Sequence, residues 1–340
     1  MDWRGIVCPR NYLGSLIRAL LLITILFFLV YGSLEQRCKE PGTNKKDIAI
    51  REFLSKGESF QRRSGDIQLP VEHVKNVTVV TAFFSLGNFI KGTLLRREDF
   101  YQQNAGKIAM VRNPLIFYTN SPEIAQQITF FRRSYQPSLQ TDVIIMNIND
   151  SWAFGLRPRI QAIFNQDGYP KYHPQTINAN YSVAMHAKYE VMADAIKSGR
   201  VRTTHVCWMD FGIWRNEEGE GFEVGIPNDV IDGQVAYTEI EANSNPTPRN
   251  IVYLDMVWVV GAFFIGRVEA VQTFCTDYRR GVHWMIKHFL MSTDQQVIYT
   301  LYSKHFKLNP RVHIQTYRAP PEFSHSPWYY LAYRCRRALH

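Results

Sequence analysis

The sequence predicts an α/β fold in which a mostly parallel sheet is flanked by helices and is preceded by one transmembrane helix. Short runs of β-branched and aromatic residues, such as Val77 to Phe84, alternate with helical segments through short connections. A long apolar run covers residues 13–34. The chain is 46% hydrophobic and 20% charged, which is typical of a globular protein with a sizeable core.

The apolar run at residues 13–34 is interrupted only by Arg18. About 20 apolar residues span a bilayer, and Arg18 can extend its charge to the interface. Arg4 and Arg10 also precede the run, whereas the charges after it nearly cancel. This asymmetry predicts a signal-anchor helix with residues 1–12 as a cytoplasmic tail. The chain is then a single-pass type II membrane protein of the Golgi or endoplasmic reticulum.

A cleaved signal peptide is the alternative interpretation of this run, because the small residues Gly32 and Ser33 lie just beyond its apolar core. Both interpretations deliver the rest of the chain to a secretory lumen. A secreted binding protein would result if cleavage followed Ser33.

Two further features are typical of that compartment. Glycosylation sequons predict a glycoprotein and occur at Asn76, Asn149 and Asn180. Four cysteines follow the apolar run, and four cysteines permit three disulfide pairings. They are Cys38, Cys207, Cys275 and Cys335. Cys207 lies in an apolar run, so it is equally well explained as a small buried hydrophobe.

Composition divides the rest of the chain. Residues 35–74 are polar and are predicted to form a stem, residues 75–318 the domain, and residues 319–340 a C-terminal tail.

The net charge of +9 suits a phosphate-bearing partner. The basic residues are scattered in pairs, without a basic helix or an aromatic RNA-binding motif, so no nucleic acid partner is expected.

Local patterns predict the first elements of the domain. Val77 to Phe84 is a buried strand, and Leu94 to Ile108 is a helix. Leu115 to Thr119 is a second strand, followed by a helix with Ser121 as its N-cap. Thr141 to Ile148 is a third strand.

The second half of the domain continues this alternation. Tyr181 to Gly199 is an amphipathic helix that ends at a glycine cap, and Thr204 to Asp210 is a buried strand. The acidic, glycine-rich residues 216–229 are predicted to be a surface loop, with a mobile lid as the alternative. Val257 to Gly266 is a further strand or turn, and a long helix follows from residue 267 to about 290. Thr293 and Gln296 form a capping box for a last helix.

Asp210 is the residue that points most directly to function. It closes the apolar run Val206 to Met209, and a carboxylate at the end of a buried strand is unfavourable without a cationic partner. Ligands of parallel α/β sheets bind outside the carboxyl ends of the strands. Asp210-Phe211-Gly212 spells the metal-binding triplet of protein kinases, but the glycine-rich loop and the HxD motif that a kinase also needs are absent. Motifs for serine hydrolases, P-loop proteins and dinucleotide-binding enzymes are absent as well. A sugar-nucleotide site is the candidate that remains for the end of this strand.

Transfer from a nucleotide sugar needs the diphosphate leaving group to be neutralised, usually by a divalent cation on strand-end carboxylates. The common D-x-D pattern is incomplete here, because Gly212 stands where the second Asp is expected. Asp210 alone is a thin cage for a divalent metal, Mn or Mg, which normally takes several oxygen ligands. Lys188 is a candidate to replace part of the metal's work as a positive charge on phosphate, with a surface helix lysine as the alternative.

Several segments together carry a resemblance to a known family. They are VTAFF, IFYTN, the helix with Lys188, CWMDFG, VVGAFFIGR and TDQQV. Over residues 75–310 the chain resembles the HtrL/YibB family, which is grouped with GT-A-type nucleotide-sugar transferases. The resemblance implies a GT-A-like, Rossmann-like sheet.

The resemblance also implies roles for individual residues. Thr81, Ala82 and Phe83 lie near the nucleotide, Asp210 lies at the metal or diphosphate, and Gly261 lies by the acceptor. Asp294 and Gln295 are the candidate catalytic residues and face the sugar or acceptor. His313 is a candidate late metal ligand of the kind that some GT-A enzymes use, with a structural histidine as the alternative.

The sequence as a whole therefore predicts a glycosyltransferase of the secretory pathway with a nucleotide-sugar donor and a glycan acceptor. The alternative is a non-catalytic lumenal protein of the same fold that binds a sugar nucleotide or a glycan, because the second Asp is missing.

Overall fold

The computed structural model describes residues 77–91, 94–97, 105–215, 221–307 and 309–337. No helix in these ranges is both long and apolar enough to cross a bilayer. Residues 13–34, the stem, Asn76 and Cys38 lie outside the described ranges. The predicted membrane anchor is corrected to this extent: none of the helices that the structure describes could serve as one. The type II topology and the Golgi or reticulum location depended on that anchor and are likewise not supported.

A seven-stranded sheet forms the centre of the domain. Its strands, in chain order, are β1 (Val77–Phe83), β4 (Leu115–Thr119), β5 (Thr141–Ile145), β6 (His205–Met209), β8 (Gln234–Glu239), β9 (Val259–Arg267) and β10 (His313–Arg318). Two small two-stranded sheets pair β2 (Phe89–Lys91) with β3 (Leu94–Arg96), and β7 (Glu223–Val224) with β11 (Arg336–Arg337).

The strand order in the central sheet is β10-β8-β9-β6-β1-β4-β5. Strands β5, β4, β1 and β6 pair in parallel, whereas β9 runs antiparallel to both β6 and β8. The chain moves outward from β1 to β4 and β5, and then returns to place β6 on the other side of β1. The order therefore reverses between β1 and β6, and this switch point is where open α/β sheets bind ligands.

Helices cover both faces of the sheet. In chain order they are α1 (Ala105–Ala109), α2 (Pro122–Tyr135), α3 (Trp152–Gly155), α4 (Arg157–Phe164), α5 (Ala179–Lys197), α6 (Pro248–Tyr253), α7 (Val268–Lys287), α8 (Asp294–Leu301) and α9 (Tyr330–Cys335). Alternate residues of a strand face opposite sides. Trp208 accordingly joins the core on the α5 and α7 face, and Cys207 joins the core on the α2 and α9 face.

Helix α5 positions much of the site, and its ends follow the sequence signals. Asn178 is the N-cap and accepts hydrogen bonds from the backbone of Asn180 and Tyr181. After the last turn, Gly199 adopts a φ of +69°, which glycine tolerates at a helix end. Between these ends, eleven of the helix residues are buried, including His186 and Lys188.

Several predicted elements differ from the observed ones. The helix predicted from Leu94 to Ile108 is instead β3, which pairs with β2, and the short helix α1 at the end of the segment. Strands β8 and β10 were not predicted. Residues 327–337 carry α9, whose Leu331 and Ala332 are buried, so the compact domain extends into the predicted C-terminal tail. Beyond the undescribed residues 216–220, Phe222 and Val224 of the predicted surface loop are also buried.

The described cysteines form no disulfide. Cys207, Cys275 and Cys335 are free and buried. The interpretation of Cys207 as a small hydrophobe is thereby confirmed, since it lies in the core beside Met209.

Candidate functional site

A cleft of about 180 Å³ opens at the carboxyl ends of β1 and β6. Its volume is below the roughly 300–1,000 Å³ that is typical of pockets for small molecules, and the cleft is open to solvent on one side. The cleft is lined by apolar and aromatic side chains with a few polar groups, and Asp210 is the one acidic residue among those lining it in the described ranges. The polar and charged lining residues are Lys91, Tyr181, Lys188, Asp210, Arg215 and Tyr329.

Asp210 enters the cleft because of its place after β6. Residues i and i+2 of a strand share a face, so Trp208 and Asp210 both point toward α5. The indole Nε1 of Trp208 donates a hydrogen bond of 2.7 Å to Oδ1 of Asp210. The backbone N–H of Asp210 donates to the carbonyl of Ala262 on β9 at 2.8 Å. The side chain of Asp210 is 36% exposed, so it is held from the protein side and open to solvent on the other.

Lys188 lies in the middle of α5 and its side chain is only 4% exposed. Its Nζ lies 3.0 Å from Oδ1 of Asp210 and 3.1 Å from Oδ2 of Asp294. It also donates to the carbonyl oxygen of Gly261 at 3.1 Å. Lys188 therefore joins three elements, β6, β9 and α8, through one ammonium group.

Asp294 is the first residue of α8, and its side chain is 4% exposed. The capping box predicted at Thr293 and Gln296 is present and fixes the start of this helix. Gly261 on β9 faces the Asp294 carboxylate so closely that a Cβ at residue 261 would overlap with Oδ2. A side chain at residue 261 would have to displace that carboxylate, so sterics favour glycine at this position. The acceptor-binding role of Gly261 stays a prediction.

Burial and charge act in opposite directions on Lys188. Burial alone lowers the pKa of a lysine, but the carboxylates of Asp210 and Asp294 outweigh it, and the pKa of Lys188 lies above its ordinary value. Burial raises the pKa of Asp294, the ammonium of Lys188 opposes this, and the like charge of Asp210 adds to it. Lys188 is therefore the permanent cation of the group.

Aromatic rings line the rest of the cleft. The rings of Phe83 and Phe211 lie 5.3 Å apart, and those of Phe89 and Tyr181 lie 5.4 Å apart. Tyr181 also accepts a hydrogen bond from Nζ of Lys91 at 3.3 Å. These contacts join the β2–β3 hairpin to the start of α5 and give the cleft two flat apolar walls.

The predicted nucleotide residues on β1 differ in their access to the cleft. Ala82 and Phe83 line the cleft. Thr81 is fully buried, and its hydroxyl has no hydrogen-bond partner among the described residues. Gln295 is partly exposed beside Asp294 and is not among the residues that line the cleft.

His313 is not brought to the site. It is exposed at the first position of β10. Because β10 is parallel to β8 and β6, its first residue lies at the amino ends of the strands, whereas Asp210 lies at a carboxyl end.

The two described sequons lie on the surface or at a helix start. Asn149 is exposed in a 3-10 helix at Ile148–Asp150, and Asn180 is half-buried in the first turn of α5.

The described residues hold no ready-made metal cage, since no group of three or more His, Cys, Asp or Glu side chains in these ranges is placed to bind an ion. Lys188 occupies the position between Asp210 and Asp294 that a bridging cation would otherwise take. One carboxylate alone fits Mg²⁺ only together with phosphate oxygens and water, because Mg²⁺ in such sites keeps several waters and binds one or two carboxylates plus substrate phosphates.

Sequence reasoning did not identify several residues of the cleft. They include Phe84, Phe89, Tyr181, Trp208, Arg215 and Tyr329. The alternation of β6 gives a usable signal for Trp208, since it stands two residues before Asp210. Tyr329 comes from the predicted tail and carried no such signal.

The sequence was compared with known families and proteins. A family model described as "Bacterial protein of unknown function (HtrL_YibB)" matches residues 75–316. Protein HtrL of Escherichia coli (strain K12) is 26% identical over 151 residues, which is 40% of this chain and 51% of that protein. The chain thus spans about half the length of this curated relative.

Proposed function

This chain belongs to the HtrL_YibB family, and we propose that it is a glycosyltransferase that takes a nucleotide-sugar donor in the cleft beside Asp210. One observation carries the proposal: a partly exposed carboxylate, held by Trp208 and Lys188, stands at the switch point of a mostly parallel sheet. The GT-A type that the resemblance implies stays a prediction.

The walls of the cleft suit the two parts of such a donor. A nucleobase stacks on aromatic rings, and Phe83, Phe211 and Tyr181 supply them. The diphosphate then extends toward the cationic side chains of Lys91 and Arg215, which also line the cleft. The small enclosed volume accommodates the base, and the open part of the cleft accommodates the sugar and the acceptor.

A divalent metal fits this cleft as a partner of the nucleotide, with Asp210 as its protein ligand. When bound there, such an ion would supply positive charge to the diphosphate leaving group. Lys188 does not do this, since its ammonium is already surrounded by Asp210, Asp294 and the Gly261 carbonyl.

The proposed reaction breaks the bond between the anomeric carbon and the phosphate oxygen and forms a bond from that carbon to an acceptor hydroxyl oxygen. The nucleoside diphosphate leaves with the bonding electron pair, and the proton of the acceptor hydroxyl passes to solvent. Asp210 orients the reacting groups, and the aromatic walls exclude water from them.

The experiment is a binding screen on the full-length chain. Nucleotide sugars, nucleoside diphosphates and inorganic diphosphate are each added with and without Mn²⁺, and thermal unfolding is recorded. A ligand at 100 times its dissociation constant adds about 2.7 kcal/mol to the free energy of unfolding. We expect at least one nucleotide sugar to stabilise the protein more than inorganic diphosphate does, and to be hydrolysed slowly. Equal effects of all nucleotides and inorganic diphosphate contradict the proposal.

A second function is favoured by one specific observation. Asp294, which the resemblance implies to be catalytic, is 2% exposed and paired with Lys188, so it does not reach a substrate in this structure. A protein that binds a sugar nucleotide without transferring the sugar needs only the cleft and Asp210. Tight binding of a nucleotide sugar without hydrolysis, over many hours and with acceptor candidates present, would select this second function.

A further inference from the structure

We infer that Lys188 is a positioning residue for Asp210: its buried ammonium, anchored by Asp294 and the Gly261 carbonyl, fixes one carboxylate oxygen of Asp210 and leaves the other for the ligand. The identity of that ligand as a nucleotide rests on the proposed function. The positioning of Asp210 by Lys188 does not depend on it.

The first step is the number of donors. A lysine ammonium has three N–H groups. Three acceptors lie around Nζ of Lys188, namely Asp210 at 3.0 Å, Asp294 at 3.1 Å and the Gly261 carbonyl at 3.1 Å. Every donor is therefore used within the protein. Lys188 lines the cleft, but its ammonium is engaged by protein acceptors, so we assign it a positioning role in place of the phosphate contact expected from the sequence.

The second step is the asymmetry of the Asp210 carboxylate. Both side-chain contacts, from Trp208 and from Lys188, fall on Oδ1. Trp208 and Lys188 are both buried, so both donors are held within the core. Two rigid donors on one oxygen fix the rotamer, and Oδ2 is the oxygen that remains for a ligand in the cleft.

The third step is the set of charged groups around Asp210. Lys188 on α5 is the cation in contact with it, and Asp294 on α8 lies behind Lys188. The other ionisable groups of the cleft are Lys91 on β2, Tyr181 on α5, Arg215 after β6 and Tyr329 near the C-terminus. Asp294 has no place in the cleft lining, so its influence on a ligand passes through Lys188.

A structural ion pair would not need this arrangement. Lys188 and Asp294 are both about 4% exposed and satisfy each other within the core. The additional contact to Asp210, whose side chain is 36% exposed, connects that pair to the cleft. Through this contact, the buried Lys188–Asp294 pair holds the solvent-accessible carboxylate of Asp210 in place.

The test uses the double variant Lys188→Met/Asp294→Leu. Apolar residues of similar shape replace both buried charges, which is often neutral for folding, so the double variant tests positioning without leaving an unpaired charge. The readout is the indole N–H resonance of Trp208 in protein labelled with nitrogen-15 tryptophan, assigned with Trp208→Phe. The same samples are titrated with uridine diphosphate and guanosine diphosphate in the presence of Mn²⁺.

We expect the double variant to melt near the wild type, its Trp208 indole resonance to shift or broaden, and its affinity for the bound diphosphate to fall about tenfold. An unchanged indole resonance in the folded double variant overturns the inference.

If the double variant does not fold, Asp294→Asn replaces it, since it keeps Lys188 and weakens one anchor. A smaller shift of the same resonance supports the inference there, and no shift overturns it. The indole measurement needs no nucleotide. If the wild-type protein binds no nucleoside diphosphate, the proposed function is contradicted, but the indole resonance still tests whether Lys188 positions Asp210.

Discussion

Asp294 occupies the space into which a side chain at Gly261 would project. A Cβ at residue 261 would overlap with Oδ2 of Asp294, and Lys188 would lose its place between the Asp294 carboxylate and the Gly261 carbonyl. A side chain at residue 261 would therefore have to displace the Asp294 carboxylate from its place beside Lys188. One glycine on β9 thereby allows the buried cation to reach Asp210.

Gly261→Ala tests this steric relationship. The added methyl must displace a buried carboxylate that is bonded to Lys188, so we expect the free energy of unfolding to fall by about 1–3 kcal/mol. Urea unfolding measures the change. Gly155→Ala is the matched control, because a Cβ there meets no atom within 4 Å. Equal stabilities of the two variants would show that Asp294 moves aside freely.

Lys188→Met alone is expected to be far more harmful than loss of a surface lysine. It leaves Asp294 buried without its cation, and breaking a buried pair in this way destabilises by about 3–5 kcal/mol. Lys197→Met is the control, since Lys197 lies on the same helix and is exposed. Urea unfolding of both variants gives the comparison. Similar stabilities of the two variants would count against the buried ion pair.

The stability of the fold depends on pH through His186. This histidine is fully buried, its Nδ1 lies 2.7 Å from the Tyr278 hydroxyl, and burial with the nearby Lys188 charge lowers its pKa to about 3. The unfolded chain takes up a proton near the ordinary value of 6.5, whereas the folded protein does not. The stability from this group is therefore present above pH 6.5 and is lost as the pH falls, by about 1.4 kcal/mol per pH unit.

His186→Gln removes this titration, so the difference in unfolding free energy between wild type and variant should shrink as the pH falls from 7 to about 4.5. Comparing the two proteins is necessary because other groups also contribute. His205 and His283 have lowered pKa values and act in the same direction, whereas the raised pKa of Asp294 acts in the opposite one. A difference that is constant with pH would show that His186 titrates normally in the folded state.

The three described cysteines should be protected in the native protein. Burial raises the pKa values of Cys207, Cys275 and Cys335, so thiolate is scarce and access is blocked. In a Cys8→Ser/Cys38→Ser background, mass spectrometry should find no alkylation by iodoacetamide before unfolding and three modified thiols after it. A disulfide among these three residues, or rapid native labelling, is the contrary result.

The sequence predicted the strands that are buried on both faces, because β1, β4 and β6 are short apolar runs with clear boundaries. It did not predict β10, whose residues His313–Arg318 mix polar and apolar side chains on an edge of the sheet. Leu94 to Ile108 has helix-forming residues, but pairing of β3 with β2 overrides that propensity.

The site was only partly predictable for a related reason. Asp210 stands at a strand end that local pattern reveals, whereas the contact between Lys188 and Asp294 joins residues 106 positions apart. No local pattern shows that α5 and α8 meet at Gly261. Charge type and position suggested a role for each residue, but only the fold shows that Lys188 is enclosed by its partners.

The most direct test of the account is the affinity of Asp210→Asn for a nucleoside diphosphate with Mn²⁺, measured by isothermal titration on the full-length chain. Asn can still accept the Trp208 hydrogen bond, and Lys188 keeps Asp294, so the fold should survive. Asp167→Asn is the control, because Asp167 is exposed and lies outside the cleft lining. The account predicts that Asp210→Asn loses at least about tenfold in affinity, or roughly 1.4 kcal/mol, while Asp167→Asn binds like the wild type. Full affinity in Asp210→Asn would contradict the assignment of this cleft as the nucleotide site.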